Sequence, residues 1–292
     1  MAELSVAVPR RAPRDFAGLW IGPPLLILAG LFLYPLALIL RETLTGGTAV
    51  LSLGHFAEVL GSALFRTALY HTIIIALGST AGCLALGFVF SLIIAFVPFP
   101  GARLLARLID TFIALPTFLI ALALTFIYGS AGLLNEGLMR LLHLDLPPID
   151  FLYSQWGVIL SEITVYTPFV MRPLLASFSL IEPAQIEVAS SLGARPFRII
   201  RQIILPAALP ALLAGGSLCL LLTVNEFGIV LFIGAKDVIT LPLLIYDKAI
   251  QEFDYTTACV IAVANIGLSL GLFSLYRLAV SRFEDRRHAG LV

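Results

Sequence analysis

"EVASSLGARPFRIIRQIILP", residues 187–206, places charge in a chain that otherwise has little of it. The stretch carries Glu187, Arg195, Arg198 and Arg201, while the 292 residues as a whole are 12% charged and 60% hydrophobic. Pro183 suits a first helical position, and Gly193 suits the left-handed residue just past a helix end. The spacing therefore predicts a short helix between them, with Ile186, Ala189 and Leu192 on one face and Glu187, Ser190 and Ser191 on another. A second helix opens at Pro196, with Arg195, Arg198 and Arg201 three apart and Ile200 and Ile204 opposite. Leu205 and Pro206 lead back into an apolar run, so the segment reads as two short helices at an angle, set between greasy stretches.

Those stretches decide the fold class. Soluble domains are about 25% charged, twice the value here, and the mean hydropathy is +1.02. A helix needs about 20 apolar residues to cross the hydrocarbon core. Runs of that kind lie near 17–40, 68–97, 109–130, 156–180, 207–233 and 256–279. The chain is expected to be an all-α polytopic membrane protein with six transmembrane helices. The first run follows Arg10, Arg11 and Arg14, and it exceeds the roughly 7–15 residues of a signal-peptide core, so it reads as a retained span. "VPFPG" marks a sharp turn after the second run. Leu133 to Leu142 forms an amphipathic piece expected to lie along the membrane surface.

Lys and Arg collect in cytoplasmic loops. With the N-terminus inside, the inside segments hold Arg10, Arg11, Arg14, Arg103, Arg107, Arg172, Arg195, Arg198, Arg201, Arg277, Arg282, Arg286 and Arg287. The outside segments hold only Arg41, Arg66, Arg140, Lys236 and Lys248, so 13 of the 18 basic residues fall inside. Both termini are expected to be cytoplasmic, and residues 187–206 with them. The chain divides into 1–64 (N-terminus, first span and outside loop), a core over 65–280 and a cytoplasmic tail over 281–292.

The chemistry that remains is sparse. Cys83, Cys219 and Cys259 all fall in apolar runs, which favours packing over disulfides or metal. There is no HExxH, no Walker A pattern and no paired-acid or Ser/His/Asp set, so neither catalysis nor ATP hydrolysis is expected of this chain, and no cofactor or metal is implied. Without a basic stripe no nucleic-acid partner is expected. Ionisable residues inside spans are expensive and mark candidate solute pathways. Glu162 lies about 9 Å into the fourth span and Glu226 in the outer half of the fifth, at ~1.5 Å per residue. Tyr166, Thr167, Asn225 and Asn265 are the polar neighbours expected around them, with Thr117 and Thr223 able to reach the same layer. The alternative for the acids is a helix-end role at the interface, and for the threonines a bond to their own helix. Gly78 and Gly82 are expected to pack a helix.

On charge alone, residues 187–206 could be a connector whose arginines meet anionic membrane lipid. The spacing carries more. Glu187, Ala189, Gly193, Ile203, Leu205 and Pro206 fit E-A-A-x3-G-x9-I-x-L-P everywhere except Val188, where alanine is usual. This resembles the signature loop of permease subunits of ATP-binding-cassette importers with the type I fold. "DTFIALPTFLIALALTFIYGSAGLLN" and "GVILSEITVYTPFVMRP" are similar to the sulfate, molybdate, ferric-iron and phosphonate branch. "GGSLCLLLTVNEFGIVLFIGAK" and "SLGLFSLYRL" are similar to its 2-aminoethylphosphonate permeases. The resemblance implies that the loop docks on a dimer of cytoplasmic ATP-binding subunits, that a periplasmic solute-binding protein delivers the solute, and that a second permease subunit completes the pore. A heterodimer is the pairing it suggests, a homodimer the alternative. Ferric iron, a polyamine or another small solute is the alternative cargo. A secondary transporter is the alternative class and would need inverted repeats and broken helices.

Overall fold

The structure is a computed structural model that describes residues 17–46, 54–234 and 238–288. Arg10, Arg11, Arg14 and Lys236, which weigh in the charge asymmetry, lie outside the described residues, as does the end of the tail after His288. Among the described residues every regular element is helical. Six segments are long and apolar enough to span a membrane: Trp20–Thr45, Ala63–Phe96, Thr117–Leu142, Gln155–Phe178, Pro196–Val224 and Tyr255–Arg282.

The first span is α1 (Ala17–Leu28) and α2 (Tyr34–Thr45), joined by a widened π turn at Ala29–Leu33. Pro35 follows that turn. Proline has no N–H for the preceding turn and its ring crowds the carbonyl four residues back, which a wider turn relieves. Most of this span's apolar side chains are exposed in the single chain, consistent with an appendage to a core. A short α3 (Gly54–Gly61) leads into α4 (Ala63–Phe96), which ends where "VPFPG" predicts, with Gly101 at φ +99°.

The third run is not one helix. α5 (Ala102–Ile113) is strongly amphipathic, and α6 (Thr117–Tyr128) restarts after an interruption at residues 114–116. Pro116 is the cause, since it disfavours helical φ/ψ at the residue before it. α7 (Leu133–Leu142) has the bounds expected of the amphipathic piece. Asn135 fixes it from within: its amide donates to Gly129 O at 2.9 Å and Ile149 O at 2.7 Å, and its carbonyl accepts from Ile149 N at 3.0 Å.

α8 (Gln155–Phe178) is the most buried span. It nests against α4 and α11 (Leu205–Val224) through glycines. A Cβ on Gly82 would meet Ile163 Cδ1 at 2.2 Å, and one on Gly78 would meet Ile159 Cδ1 at 3.2 Å. Gly215 sits under the Val170 backbone at 3.1 Å in the same sense. Small residues let helices approach where lipid supplies no hydrophobic drive between them. The Gly78/Gly82 pair is thus a packing device.

The fifth run also breaks. α11 stops at Val224, residues 225–227 are irregular, and α12 (Gly228–Ile233) resumes for a turn and a half. Glu226 is therefore not inside a helix but in the gap between two. α13 (Leu241–Tyr246), a π turn at Asp247–Gln251 and α14 (Tyr255–His288) complete the chain. Their junction ties the N-terminal part to the core. Thr256 Oγ1 donates to Glu42 Oε1 at 3.0 Å, and Thr257 Oγ1 lies 3.3 Å from His55 Nε2. His71 Nδ1 donates to Ile239 O at 3.2 Å, an anchoring role rather than a ligand's.

Candidate functional site

Two places hold the residues singled out from the sequence. The first is the 183–206 segment. α9 (Pro183–Ser191) starts at its proline and is closed just past its end by Gly193, whose φ is +81°. Ala194 N donates to Ala189 O at 3.0 Å and Gly193 N to Ser190 O at 2.9 Å. These are the two bonds of a Schellman turn, which satisfies the last carbonyls of a helix through a left-handed residue. Two motif positions thereby acquire physical roles: Ala189 supplies the outer carbonyl and Gly193 the positive φ. Ile186, Ala189 and Ala194 pack against the core. Leu192 does not join them as the face pattern predicted. The helix ends before it, and it stands 83% exposed. Val188, Phe197 and Glu187 are exposed beside it.

The second half differs from a separate short helix. α10 (Pro196–Ile199) runs without interruption through a π turn at Ile200–Ile204 into α11. Pro206 follows this π turn as Pro35 follows the first, and the same crowding accounts for it. Ile199 and Ile204 are buried, Ile203 is half-buried against the core and Leu205 half-buried. One continuous rod thus carries the arginines at its start and the Glu226 gap at its end.

The second place is a buried polar layer. Glu226 is 7% exposed and its carboxylate is fully engaged. Oε1 accepts from Ile229 N at 2.9 Å and from Thr117 Oγ1 at 3.3 Å, and Oε2 accepts from the Tyr166 hydroxyl. Glu226, Tyr166 and Thr117 are brought together from three separate segments. Glu162 is 1% exposed on α8, with Ser79, Cys83 and Glu226 in electrostatic reach. Its Oε2 has no hydrogen-bond partner, nor has Ser79 Oγ facing the same interior. These are two buried oxygens within interaction range of each other, on α8 and α4.

Thr167 stands apart from this layer's bonding: its hydroxyl donates to Ile163 O at 2.6 Å, within its own helix. Thr223 does likewise with Leu220 O at 3.1 Å and also reaches Ala76 O at 3.4 Å. Asn225 and Asn265 form a distinct pair. Asn265 Nδ2 donates to Asn225 Oδ1 at 3.1 Å, while Asn225 Nδ2 donates to Leu221 O at 2.8 Å and to Ser269 Oγ at 3.4 Å. Asn265 Oδ1 is buried and unpartnered, so this pair retains one acceptor. Sequence reasoning passed over Ser79 and Ser269. The signal was there in the Ser79-Thr80 doublet within an uncharged run, and in Ser269 one helical turn after Asn265. Among the described residues no cluster of His, Cys, Asp or Glu could hold a metal ion.

The profile of the family described as "Binding-protein-dependent transport system inner membrane component" matches residues 87–285. A protein of Salmonella paratyphi A is 64% identical over 264 residues, 90% of this chain and 91% of its own length. It bears the provisional name 2-aminoethylphosphonate transport system permease protein PhnU. The sulfate transport system permease protein CysT of Salmonella typhimurium is 32% identical over 68% of this chain and 72% of its own. Among solved structures, a chain of a bacterial alginate ABC transporter, crystallised with an alginate-bound periplasmic protein, superposes with a TM-score of 0.76. It is 20% identical and covers 92% of this chain and 96% of its own, a likeness of fold.

Proposed function

Because this chain belongs to the binding-protein-dependent transport system inner membrane components, we propose that it carries 2-aminoethylphosphonate inward, driven by ATPase subunits docked on residues 183–206. The chain is a multi-pass permease of the bacterial inner membrane, of the ATP-binding-cassette importer class. A solute-binding protein and an ATPase are the partners such a permease requires. One observation carries the coupling reading: α9 closes in a left-handed turn that directs Leu192, Val188 and Glu187 away from the chain's own core. Exposed apolar groups beside a carboxylate suit a protein groove better than they suit anionic headgroups.

In this reading both termini and the 183–206 segment face the cytoplasm, residues 65–280 form the permease core, and ATP is hydrolysed by the partner alone. The pore pairs this chain with a second, similar permease, and lipid covers what remains of the exposed apolar surface. The cargo follows from the 64% identical relative and from chemistry. 2-Aminoethylphosphonate carries an ammonium group and an anionic phosphonate. The unpartnered Glu162 Oε2 and Asn265 Oδ1 are acceptors for the former. Asn225 and Tyr166 supply amide and hydroxyl groups for the latter, with Glu226 at the border of the path.

The test is uptake of labelled 2-aminoethylphosphonate by the complete reconstituted complex, beside sulfate, ferric iron and a polyamine. Uptake of the phosphonate alone is expected. Uptake of another of these solutes in preference would remove the substrate assignment.

A further inference from the structure

The two interruptions of the bundle meet at one carboxylate. α6 begins at Thr117, directly after residues 114–116, and Thr117 donates to Glu226, which lies in the gap at residues 225–227. The same carboxylate accepts from Ile229 N at the start of α12 and from Tyr166 on α8. A Cβ on Gly228 would stand 3.2 Å from Thr117 Oγ1 and 3.4 Å from Glu226 Oε1, so the residue following the gap leaves the meeting point room. Beyond the two gaps, Phe118 of α6 and Phe232 of α12 stack at 5.1 Å with their planes 27° apart.

α6 and α12 are therefore packed on each other, and each follows an interruption that separates it from the helix before. The remaining core behaves differently. α4, α8 and α11 interlock through Gly82, Gly87 and Gly215, where an added methyl group would stand 2.2–3.1 Å from its nearest neighbour. The pair shares the buried apolar core with that block through Ile120, Leu124, Ile229 and Ile233, and Tyr166 and Glu226 hydrogen-bond across the same contact.

We propose that α6 and α12 move together as a gate element hinged at residues 114–116 and 225–227. The Tyr166–Glu226 hydrogen bond is the latch that fixes this element on the α4–α8–α11 block. Glu226 is a positioning residue in this scheme: it holds Thr117 and the Ile229 amide in place and is held by Tyr166. Any group that competes for Oε2, whether a water or a cationic part of a solute, releases the same bond. The proposal presumes the import reading, but its test uses no solute.

Tyr166→Phe removes the latch hydroxyl and keeps the ring. In the reconstituted complex with its ATPase, hydrolysis without loaded binding protein is expected to rise about tenfold, the loss of one hydrogen bond to a charged group. Spin labels at Phe126 on α6 and Trp156 on α8, both 74% exposed, are expected to show a second distance population in that variant. Thr117→Val should do the same and Thr117→Ser should restore the parent behaviour, which a loss of packing alone would not produce. Glu226→Ala serves only if it assembles, so the hydroxyl variants decide. Parent-like hydrolysis with one unchanged distance in both Tyr166→Phe and Thr117→Val would overturn the latch. So would raised hydrolysis without the second distance. Failure of 2-aminoethylphosphonate uptake would leave both readouts intact and would bear on the cargo alone.

Discussion

The Glu226 layer and the 183–206 turn handle their side chains in opposite ways. Around Glu226, three segments of the chain meet and all the carboxylate's bonds are made inside the protein. At the turn, Ala189 O and Ser190 O are bonded by backbone N–H groups, yet the side chains of Leu192, Val188 and Phe197 stand exposed. The first region is finished by folding. The second has its backbone fixed and its surface open, as the proposed docking on a partner requires. A segment that orders its own backbone loses less entropy on binding.

This contrast can be broken in four ways. Gly193→Val should have the largest effect. No side chain crowds the site, so the cost is that of φ +81°, about 1–2 kcal/mol for any L-residue and more for a β-branched one. Turn rearrangement should abolish uptake and ATPase co-purification while the permease keeps its thermal midpoint in detergent. Glu187→Lys should weaken ATPase retention in the same assay. A lowered midpoint for either variant would make the turn part of the core instead.

Gly82→Val tests the finished side. With Ile163 Cδ1 at 2.2 Å from the new Cβ, overpacking of about 1–3 kcal/mol is expected. It should appear as a lower thermal midpoint of the isolated permease, and Gly82→Ala should show the same sign. Stability at the parent value would mean that the α4–α8 contact yields easily.

Glu162→Gln and Glu226→Gln should come next, lowering the uptake rate more than the apparent affinity, because the binding protein supplies the affinity. ATP hydrolysis stimulated by loaded binding protein should persist, since residues 183–206 are untouched. Parent uptake in the double variant would make both acids structural. Thr167→Val should have the smallest effect, within about 0.5 kcal/mol in stability and little in uptake, because its hydroxyl bonds its own helix. A large loss of uptake would place Thr167 on the path. Orientation is checked separately: an impermeant reagent on intact cells should label a cysteine at Asp145 and not one at Arg198.

How much could be read beforehand follows the same division. Local grammar was legible: Pro183, Gly193 and Pro196 mark turns by covalent geometry alone, and α7 has its expected bounds. Apolar run length located six spans because a bilayer sets that length. Run length does not report continuity, so the third and fifth spans were drawn unbroken. Pro116 hinted at the first gap. The second has no proline, only Asn225, Glu226 and Gly228, and its irregular backbone is held by contacts from α6 and α8 that no local pattern encodes. The pairing of Thr117 with Glu226, 109 positions apart, is tertiary in the same way. Leu192 was misplaced for a smaller reason: the helical face ends one residue before it.

The unbroken rod from Pro196 to Val224 has a mechanical consequence. Its 29 residues make it roughly 44 Å long at ~1.5 Å per residue. It joins the exposed turn after α9 at one end to the Asn225–Phe227 gap at the other. Because α4, α8 and α11 interlock, they would tilt as one body, and a tilt of about 5° would swing the far tip by roughly 4 Å on that length. Such a stroke exceeds the reach of any hydrogen bond, so a modest tilt of the block would draw Tyr166 away from Glu226 wherever the proposed hinges let α6 and α12 stay behind.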